Sequence, residues 1–152
     1  MSAGEHLLLK KGVDFIGVTC VFVCHDGQGN ILLHKRSQNC RDERGKWDNG
    51  AGSLDFGETI EDGVRREVRE EYGVEAEEVR FVHARSVLRE NNGKQTHWIA
   101  LLHAVKVPRD QARINDHEYM DEIGWFTPET FPENIHSQLW TQFELVKPFL
   151  RQ

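Results

Sequence analysis

The sequence predicts an α/β protein whose mixed β-sheet is sandwiched between helices. Three patterns favour this architecture: two pairs of β-rich runs, a charged amphipathic helix between them, and an apolar helical pattern near the end of the sequence. The chain has 152 residues, of which 38% are hydrophobic. Because this is the size of one domain with a substantial core, we expect a single domain over residues 1–152.

The first pair of β-rich runs is predicted to form a hairpin. Residues 13–24 are rich in Val, Phe, Ile, Thr and Cys, which is typical of a strand that is covered on both faces. The turn sequence Asp-Gly-Gln-Gly-Asn at 26–30 leads into a returning strand over 31–36. Polar residues over 37–46 and a glycine-rich stretch up to Gly57 then predict loops.

A helix is predicted from about Thr59 to Tyr72. Thr59 is a suitable N-cap, two acidic residues follow it in the first turn, and Gly73 stands where a left-handed residue ends a helix. At about 100° per residue, the aliphatic side chains form one stripe that faces the core. The members of this stripe are Ile60, Val64 and Val68. The arginines of the helix are expected on its solvent face.

The second half of the chain predicts another hairpin and a closing helix. The predicted elements are strands over 79–88, 96–107 and 123–126 and a helix over 137–150. The turn sequence Asn-Asn-Gly-Lys at 91–94 joins the first two of these strands. Pro148 lies near the end of the helical pattern, so we expect the last turn to be irregular.

The charge balance excludes several classes of function. The chain has 19 Lys and Arg against 25 Asp and Glu, a net charge of −6, so we expect no binding to duplex nucleic acid and none to membranes. No apolar run approaches the roughly 18 residues that span a bilayer. Three cysteines, an odd number, exclude a complete disulfide framework, so we expect a cytoplasmic protein. A phosphate-bearing ligand would then need local neutralisation, which a divalent cation commonly supplies.

Three carboxylates crowd one arc of the predicted helix, beside its apolar stripe. They belong to Glu67, Glu70 and Glu71. One interpretation is a surface helix stabilised by i,i+4 ion pairs such as Arg66 with Glu70. Glu67 and Glu71, however, are a like-charged i,i+4 pair at the edge of the core, which a hard cation between them would stabilise. Clustered oxygen ligands favour Mg²⁺ or Mn²⁺ over zinc, so the helix alone leaves a surface role and a metal site open.

The loop before this helix extends the pattern. From Gly52 the chain reads Gly52, five residues, Glu58, seven residues, and then Arg-Glu-Val-Arg-Glu-Glu-Tyr-Gly-Val over 66–74. This resembles the Nudix box, G-x5-E-x7-R-E-U-x-E-E-x-G-U with U an aliphatic residue, at every specified position. A match with fixed gaps over residues 52–74 is far more specific than an isolated glycine-rich loop. The chain is therefore identified as a member of the Nudix (MutT-like) hydrolases, whose fold is an α/β/α sandwich with a mixed sheet.

The resemblance implies a hydrolase that cleaves a nucleoside diphosphate linked to another moiety and uses Mg²⁺ or Mn²⁺ to do so. Glu67, Glu70 and Glu71 would hold the cations, and Glu67 would also orient or deprotonate the attacking water. Arg66 would fix these carboxylates by ion pairing, and Glu58 would support the junction of loop and helix or contact a metal ion through water. This assignment fits the reaction, because attack at phosphorus needs charge neutralisation and positioning more than covalent chemistry.

Further ligands are expected outside the box. In the family an acidic residue commonly comes from a loop before a late strand, for which Glu118 is our first candidate and Glu122 the second. Family members also often use the main-chain carbonyl at the position of Ala51, which any residue can supply if the backbone conformation allows it. Arg36 ends a predicted strand close to the box loop and is a candidate phosphate contact.

Three functional interpretations remain. The first is a pyrophosphohydrolase, and by elimination its substrate is a (deoxy)nucleoside triphosphate that is cleaved to the monophosphate and pyrophosphate. The second is the isopentenyl-diphosphate isomerase branch, but the cysteine of that branch has no counterpart here, and Cys20 and Cys24 are predicted to be structural. The third is a non-catalytic nucleotide-binding module, which would be expected to have lost box glutamates. We expect a nucleotide-type small molecule as the partner, and a monomer or homodimer.

Overall fold

The computed structural model describes residues 8–151, which form seven β-strands and two α-helices. The strands are β1 (Gly17–His25), β2 (Ile31–Arg36), β3 (Trp47–Asp48), β4 (Gly50–Ser53), β5 (Glu78–Asn91), β6 (Lys94–Lys106) and β7 (Met120–Phe126). The helices are α1 (Ile60–Tyr72) and α2 (Leu139–Val146), and short 3₁₀ turns lie at Arg109–Gln111, Pro128–Thr130 and Lys147–Phe149. Among the described residues, no helix is long and apolar enough to cross a membrane.

All seven strands belong to one mixed sheet. β1 lies at its centre and runs parallel to β6 along its whole length, from Gly17 opposite Trp98 to His25 opposite Lys106. β5 pairs antiparallel with β6. On the other edge of β1, β4 pairs with positions 19–22. Further along the same edge β2 pairs with β1 at His25, and β3 and β7 are the other neighbours of β2.

The predicted first hairpin is only partly present. β2 has the predicted bounds, but it pairs with β1 at one position, His25 opposite Ile31. The short strand β4, which was predicted as part of a loop, takes the adjoining edge of β1, so β7 becomes the main partner of β2. β1 itself begins at Gly17, later than predicted, because the residues before it form a tight turn in which the Gly12 N–H donates to the Phe15 carbonyl at 2.7 Å.

Side chains from the two faces of the sheet form two separate cores, which confirms the predicted α/β/α sandwich. Successive side chains of β1 point to opposite faces of the sheet. Cys20, Phe22 and Cys24 face α1, whereas Val21 and Val23 face α2. The core under α1 also contains Leu32, Val64, Val68, Tyr72, Val74 and Val105. The core under α2 also contains Ile31, Leu33, Leu102, Leu139, Phe143 and Val146.

Helix α1 has the predicted caps. The Thr59 hydroxyl accepts a hydrogen bond from the N–H three residues further on, at 3.1 Å, and Gly73 adopts the left-handed conformation with φ of +62°. Val64 and Val68 are fully buried, as predicted. Ile60, in the first turn, remains 43% exposed, so the apolar stripe of the helix is shorter than the sequence pattern indicated.

The second hairpin is longer than predicted and the closing helix is shorter. β5 and β6 pair along their whole lengths, because the ladder of main-chain hydrogen bonds continues through the polar residues next to the turn. β7 also begins earlier than predicted, at Met120. α2 ends at Val146, and the irregular last turn expected around Pro148 is present as a 3₁₀ turn.

Candidate functional site

Two glycines of β4 let its main chain lie directly on the carboxylates of α1. A Cβ atom on Gly52 would overlap the Glu67 carboxyl group, and one on Gly50 would lie 2.6 Å from Glu71 Oε2. Any larger residue would therefore push β4 away from the helix. The two glycines keep Glu67 and Glu71 against the β4 main chain at the edge of the sheet.

Arg66 ties the acidic side chains together. Its Nε and Nη2 donate to the two oxygens of Glu58, at 3.0 and 2.6 Å. Its Nη1 donates to Glu67 Oε1 at 2.8 Å and to Glu70 Oε2 at 3.3 Å, and its Nη2 also reaches the Ser53 carbonyl at 3.1 Å. The prediction that this arginine lies on the solvent face is wrong, because these acceptors draw it inward. One guanidinium thus fixes the loop, the helix and β4 relative to one another.

Arg66 and Glu58 form a bidentate ion pair, the Arg66–Glu58 fork, in which both groups stay charged. Hydrogen bonds from Arg66 lower the pKa of Glu58 to about 2, because they stabilise the ionised carboxylate. The same bonds raise the pKa of Arg66 above its already high ordinary value. Both groups therefore keep their charges across the physiological pH range, and the fork supports the site without taking up or releasing protons.

Glu71 is a half-buried acid that lacks a full set of partners. Its Oε2 is buried and has no hydrogen-bond partner within residues 8–151. Burial, and then the neighbouring charge of Glu67, raise the pKa of Glu71 well above its usual range, although a hydrogen bond from the Ala51 N–H opposes the shift. Burial also raises the pKa of Glu67, against the hydrogen bond from Arg66. The two acids therefore repel each other in a poorly solvated position.

This set of donors fits Mg²⁺ or Mn²⁺. In the described part of the chain, no three His, Cys, Asp or Glu side chains are gathered closely enough to form a cation site by themselves, and Arg66 holds Glu67 and Glu70 instead. The unpartnered oxygen of Glu71 is nevertheless a hard ligand with an uncompensated charge beside it. A divalent cation at this point would supply both the missing partner and the missing positive charge.

A cleft of about 660 Å³ opens beside these acids. The predicted site residues that line it are Arg36, Ala51, Glu67, Glu70 and Glu71. Glu58 and Arg66 are not among the lining residues of this cleft, since they are engaged with each other at the junction of the loop and α1. The structure therefore brings the predicted metal ligands of the box together at the cleft, and Arg66 and Glu58 support them from outside its lining.

Neither of the acids predicted outside the box lines this cleft. Glu118 is exposed, and it is its main-chain carbonyl that accepts hydrogen bonds, from Ser37 Oγ at 2.6 Å and from Asn39 Nδ2 at 2.9 Å. Glu122 is exposed on β7, opposite Lys35. Neither position supports a role in binding a cation at the cleft.

Asp116 occupies the place that was expected for Glu118. It lines the cleft, and burial raises its pKa. Asn115 Nδ2 donates to the Glu70 carbonyl at 2.9 Å, which ties this loop to α1. Asp116 could not be recognised from the sequence as a lining residue of the cleft, because the conformation of the loop decides which acid turns inward. Its position just before β7 is the sequence feature that could have indicated it. In the structure the Met120 N–H donates to the Asp116 carbonyl at 3.1 Å.

A second cleft, of about 540 Å³, continues from the first around β4. The residues that line both clefts are Arg36, Arg41, Asp42, Asp48, Asn49 and Ala51. At this junction Arg36 donates to Asp42 Oδ1 at 2.9 Å and to Asp48 Oδ2 at 3.4 Å. From there the second cleft runs over Trp98 to Gln142 on α2. The two clefts form one elongated site with the acids of α1 at one end.

All three cysteines of the chain are free and buried. Burial raises the pKa of Cys20 to about 11 and that of Cys24 well above its usual range, so both thiols stay protonated. This agrees with the structural role predicted for them. Cys40 lies in the wall of the first cleft, with its Sγ 3.5 Å from the Tyr119 carbonyl.

Comparison with known families agrees with this geometry. A family model for the NUDIX domain matches residues 15–146, which include the whole box at 52–74. The chain belongs to the Nudix hydrolase family. The resemblance found in the sequence is thereby confirmed.

Three curated relatives illustrate the range of similarity. Nudix hydrolase 3 of Caenorhabditis elegans is 40% identical over 75 residues, which are 49% of this chain and 31% of that protein. NAD-capped RNA hydrolase NudC of Vibrio vulnificus (strain CMCP6) is 29% identical over 113 residues, 74% of this chain and 40% of that protein. CTP pyrophosphohydrolase of Escherichia coli (strain K12) is 33% identical over 101 residues, 66% of this chain and 69% of that protein. The chain thus spans less than half the length of the first two.

Solved structures confirm the Nudix fold. A MutT Nudix hydrolase from Burkholderia pseudomallei has a TM-score of 0.74 and 26% identity, over 86% of this chain and 98% of that one. A MutT protein from Methanosarcina mazei Go1 has a TM-score of 0.67 and 24% identity, over 90% of this chain and 96% of that one. The α/β/α arrangement around the box is therefore shared with both.

In the metal-free Nudix protein, Glu71→Gln should increase stability at neutral and alkaline pH. Because folding raises the pKa of Glu71, the native carboxyl binds a proton more tightly than the unfolded one, so its destabilising charge is fully present above the native pKa and disappears as the pH falls through it. We expect the Tm of the variant to exceed that of the parent at pH 8 by about 2–4 °C, equivalent to roughly 1 kcal/mol. The excess should shrink towards pH 5.

Thermal unfolding in excess EDTA measures this difference. Glu144→Gln, at an exposed position of α2, is the control and should change the stability by less than about 0.5 kcal/mol at either pH. If Glu71→Gln gave no increase in Tm, or the same increase at pH 8 and pH 5, Glu71 would not be the buried charge described above.

Proposed function

We propose that this chain is an Mg²⁺- or Mn²⁺-dependent pyrophosphohydrolase that cleaves a nucleoside diphosphate linked to another moiety. The substrate that we favour is a (deoxy)nucleoside triphosphate, cleaved to the monophosphate and pyrophosphate. The observation that carries the proposal is the pair of repelling acids, Glu67 and Glu71, held against β4 with an unpartnered Glu71 oxygen beside an open cleft.

The proposed cation ligands surround the end of the first cleft. Glu67, Glu70 and Glu71 supply carboxylates from α1, and Asp116 replaces Glu118 as the acid from the late loop, because Asp116 lines the cleft. Ala51 supplies its main-chain carbonyl from β4. Mg²⁺ or Mn²⁺, when bound, neutralises the pyrophosphate and makes water more acidic.

Glu67 is the proposed general base. Its raised pKa brings the carboxyl closer to the pH at which the enzyme works, which makes it a stronger proton acceptor than an ordinary surface glutamate. Arg66 engages Oε1 of Glu67, and its fork with Glu58 keeps that oxygen in place. The second oxygen, Oε2, is not engaged by Arg66 and is free to take a proton from the attacking water.

Arg36 is the proposed phosphate contact at the junction of the two clefts. Asp42 and Asp48 hold its guanidinium there. Each cleft, at about 660 and 540 Å³, lies within the range of roughly 300–1,000 Å³ that suits one small ligand. A two-part substrate therefore fits, with its pyrophosphate in the first cleft and its nucleoside in the second.

The relatives support a nucleotide as the substrate class. The names of the relatives from Vibrio vulnificus and Escherichia coli refer to NAD-capped RNA and to CTP. Both contain the pyrophosphate linkage that the proposed reaction requires. We propose the same class of nucleotide-type small molecule for this chain, acting as a monomer or homodimer in the cytoplasm.

Hydrolysis of a nucleoside triphosphate in Mg²⁺ should give the monophosphate and pyrophosphate as first products. Glu67→Gln preserves the size of the side chain and removes the base, so kcat should fall by at least about 10²-fold, the lower end of what a general base contributes. KM should change little. The parent rate should increase with pH through the raised pKa of Glu67, because the protonated carboxyl cannot accept a proton. Ion-exchange chromatography separates the products and gives the rates, and mass spectrometry of products formed in ¹⁸O-labelled water shows which of them carries the incorporated oxygen.

Glu118→Gln is the matched control for that experiment. It makes the same chemical change at an exposed position outside the cleft and should retain the parent kcat. Orthophosphate as the first product, or full activity of Glu67→Gln, would refute the proposed mechanism.

Cys40 separates the hydrolase from the isomerase interpretation, because it is the cysteine that lines the first cleft in the described part of the chain. A hydrolase needs no thiol, so Cys40→Ser should keep kcat within about threefold of the parent, a change that corresponds to less than 1 kcal/mol. Release of pyrophosphate by the purified variant gives the rate. An isomerase keeps its diphosphate, so a parent protein that releases no pyrophosphate and a Cys40-dependent isomerisation of isopentenyl diphosphate would instead favour the isomerase branch.

A further inference from the structure

Arg85 stands at the end of a row of paired residues that crosses the sheet. The row runs from Arg85 on β5 through Ala100 on β6 and Thr19 on β1 to Ser53 on β4. All four residues line the second cleft. With a strand spacing of about 4.8 Å, the Cα atoms of Arg85 and Ser53 lie about 14 Å apart. Arg85 is thus at the far side of the cleft from β4 and the acids of α1.

The second cleft carries more cationic than anionic side chains, although the chain as a whole has a net charge of −6. Its charged lining residues other than His136 are Arg36, Arg41, Arg85 and Arg89 against Asp42, Asp48 and Glu90. Arg36 pairs with both aspartates, and Arg89 with one of them. Within residues 8–151, Arg41 and Arg85 form no ion pair. Arg41 and Arg85 are therefore the guanidiniums of this cleft whose charge no carboxylate of the described residues offsets.

Arg85 is well placed to use its free donors. Its side chain is only partly exposed, so some of its hydration is lost. Across the strand pair it faces Ala100, whose small side chain leaves the space above the sheet open. A planar guanidinium presents N–H groups that match two oxygens of a phosphate at once. An anion with several oxygens is the ligand that this position favours.

Unpartnered amide atoms elsewhere in the cleft independently indicate a ligand. Gln142 Oε1 and Asn49 Nδ2 are buried and have no hydrogen-bond partner within residues 8–151. Gln142 and Asn49 are 8% and 3% exposed, and both line the second cleft. Buried polar groups are normally hydrogen-bonded, and unsatisfied ones commonly mark a functional position. The cleft therefore has polar groups that a nucleoside could satisfy.

We propose that Arg85 binds a second phosphate, which the substrate carries on its nucleoside sugar and which is not the one hydrolysed. The inference rests on the proposed function, because it takes the pyrophosphate to lie at Glu67 and Glu71. It narrows the favoured substrate to a nucleotide that also carries a phosphate on its sugar. From Glu67 and Glu71 to Arg85 a ligand has to cross β4, β1 and β6, so we assign the group at Arg85 to a phosphate other than the pyrophosphate. The second phosphate is either a terminal ester on the sugar or the first phosphodiester of an oligonucleotide whose 5′ end is the substrate.

Titration calorimetry at constant ionic strength tests the proposal without turnover. The probes are the 5′-monophosphates of the four common nucleosides and their 2′,5′- and 3′,5′-bisphosphates. For at least one base, a bisphosphate should bind the parent protein at least about tenfold more tightly than the monophosphate, since hydrogen bonds to charged groups have this strength. Arg85→Gln should abolish the advantage. Arg80→Gln is the matched control, because Arg80 lies on the same strand but pairs with Glu78 at 2.8 Å, outside the cleft.

Equal affinity for mono- and bisphosphates of every base would overturn the proposal, as would the same advantage in Arg85→Gln and Arg80→Gln. A 5′-phosphorylated trinucleotide distinguishes the two sources of the second phosphate. If it binds more tightly than the bisphosphate, and the gain depends on Arg85, a phosphodiester is supported; equal binding supports a terminal ester.

Hydrolysis is assayed separately. Triphosphate cleavage without any Arg85-dependent affinity refutes this inference alone, whereas Arg85-dependent affinity without cleavage of any nucleotide refutes the proposed function alone.

Discussion

The site depends on two like-charged carboxylates that α1 holds against the main chain of β4. Glu67 and Glu71 can approach β4 only because Gly52 and Gly50 have no side chains. Their repulsion and partial burial are unfavourable in isolation, as the raised pKa values of both acids indicate. Arg66 offsets part of this cost and connects α1 to the preceding loop. What remains uncompensated, the buried Glu71 oxygen, is the feature on which the proposed cation-dependent function rests.

The sheet places this cluster where a substrate can reach it. β4 is a short strand beside β1, so the acids of α1 lie at the open edge of the sheet and not beneath its centre. Around that edge the first cleft meets the second, on the face of the sheet that packs against α2. Arg36, held by Asp42 and Asp48, stands at the meeting point. The fold therefore joins the two clefts, to which we assign catalysis and nucleoside recognition, at one short strand.

Local patterns in the sequence predicted the features that depend on neighbouring residues. The caps of α1 at Thr59 and Gly73 and the clustering of its glutamates follow from helix geometry, and the spacing of the box identified the family. The features that were missed depend on contacts between distant segments. β4 was not predicted because it owes its pairing to the edge of β1. Asp116 and not Glu118 lines the cleft because a loop conformation decides which acid turns inward. The arginines of the second cleft were not recognised, since only the folded sheet brings Arg85 and β4 into the lining of one cleft.

The affinity of the free protein for Mn²⁺ shows whether a cation binds at Glu71. Titration followed by electron paramagnetic resonance reports free Mn²⁺ and needs no substrate. We expect saturable binding by the parent chain and by Glu144→Gln, and an affinity at least about tenfold weaker for a folded Glu71→Gln protein. Undetectable binding by the parent at millimolar Mn²⁺, or unchanged affinity in Glu71→Gln, would contradict a cation site at Glu71.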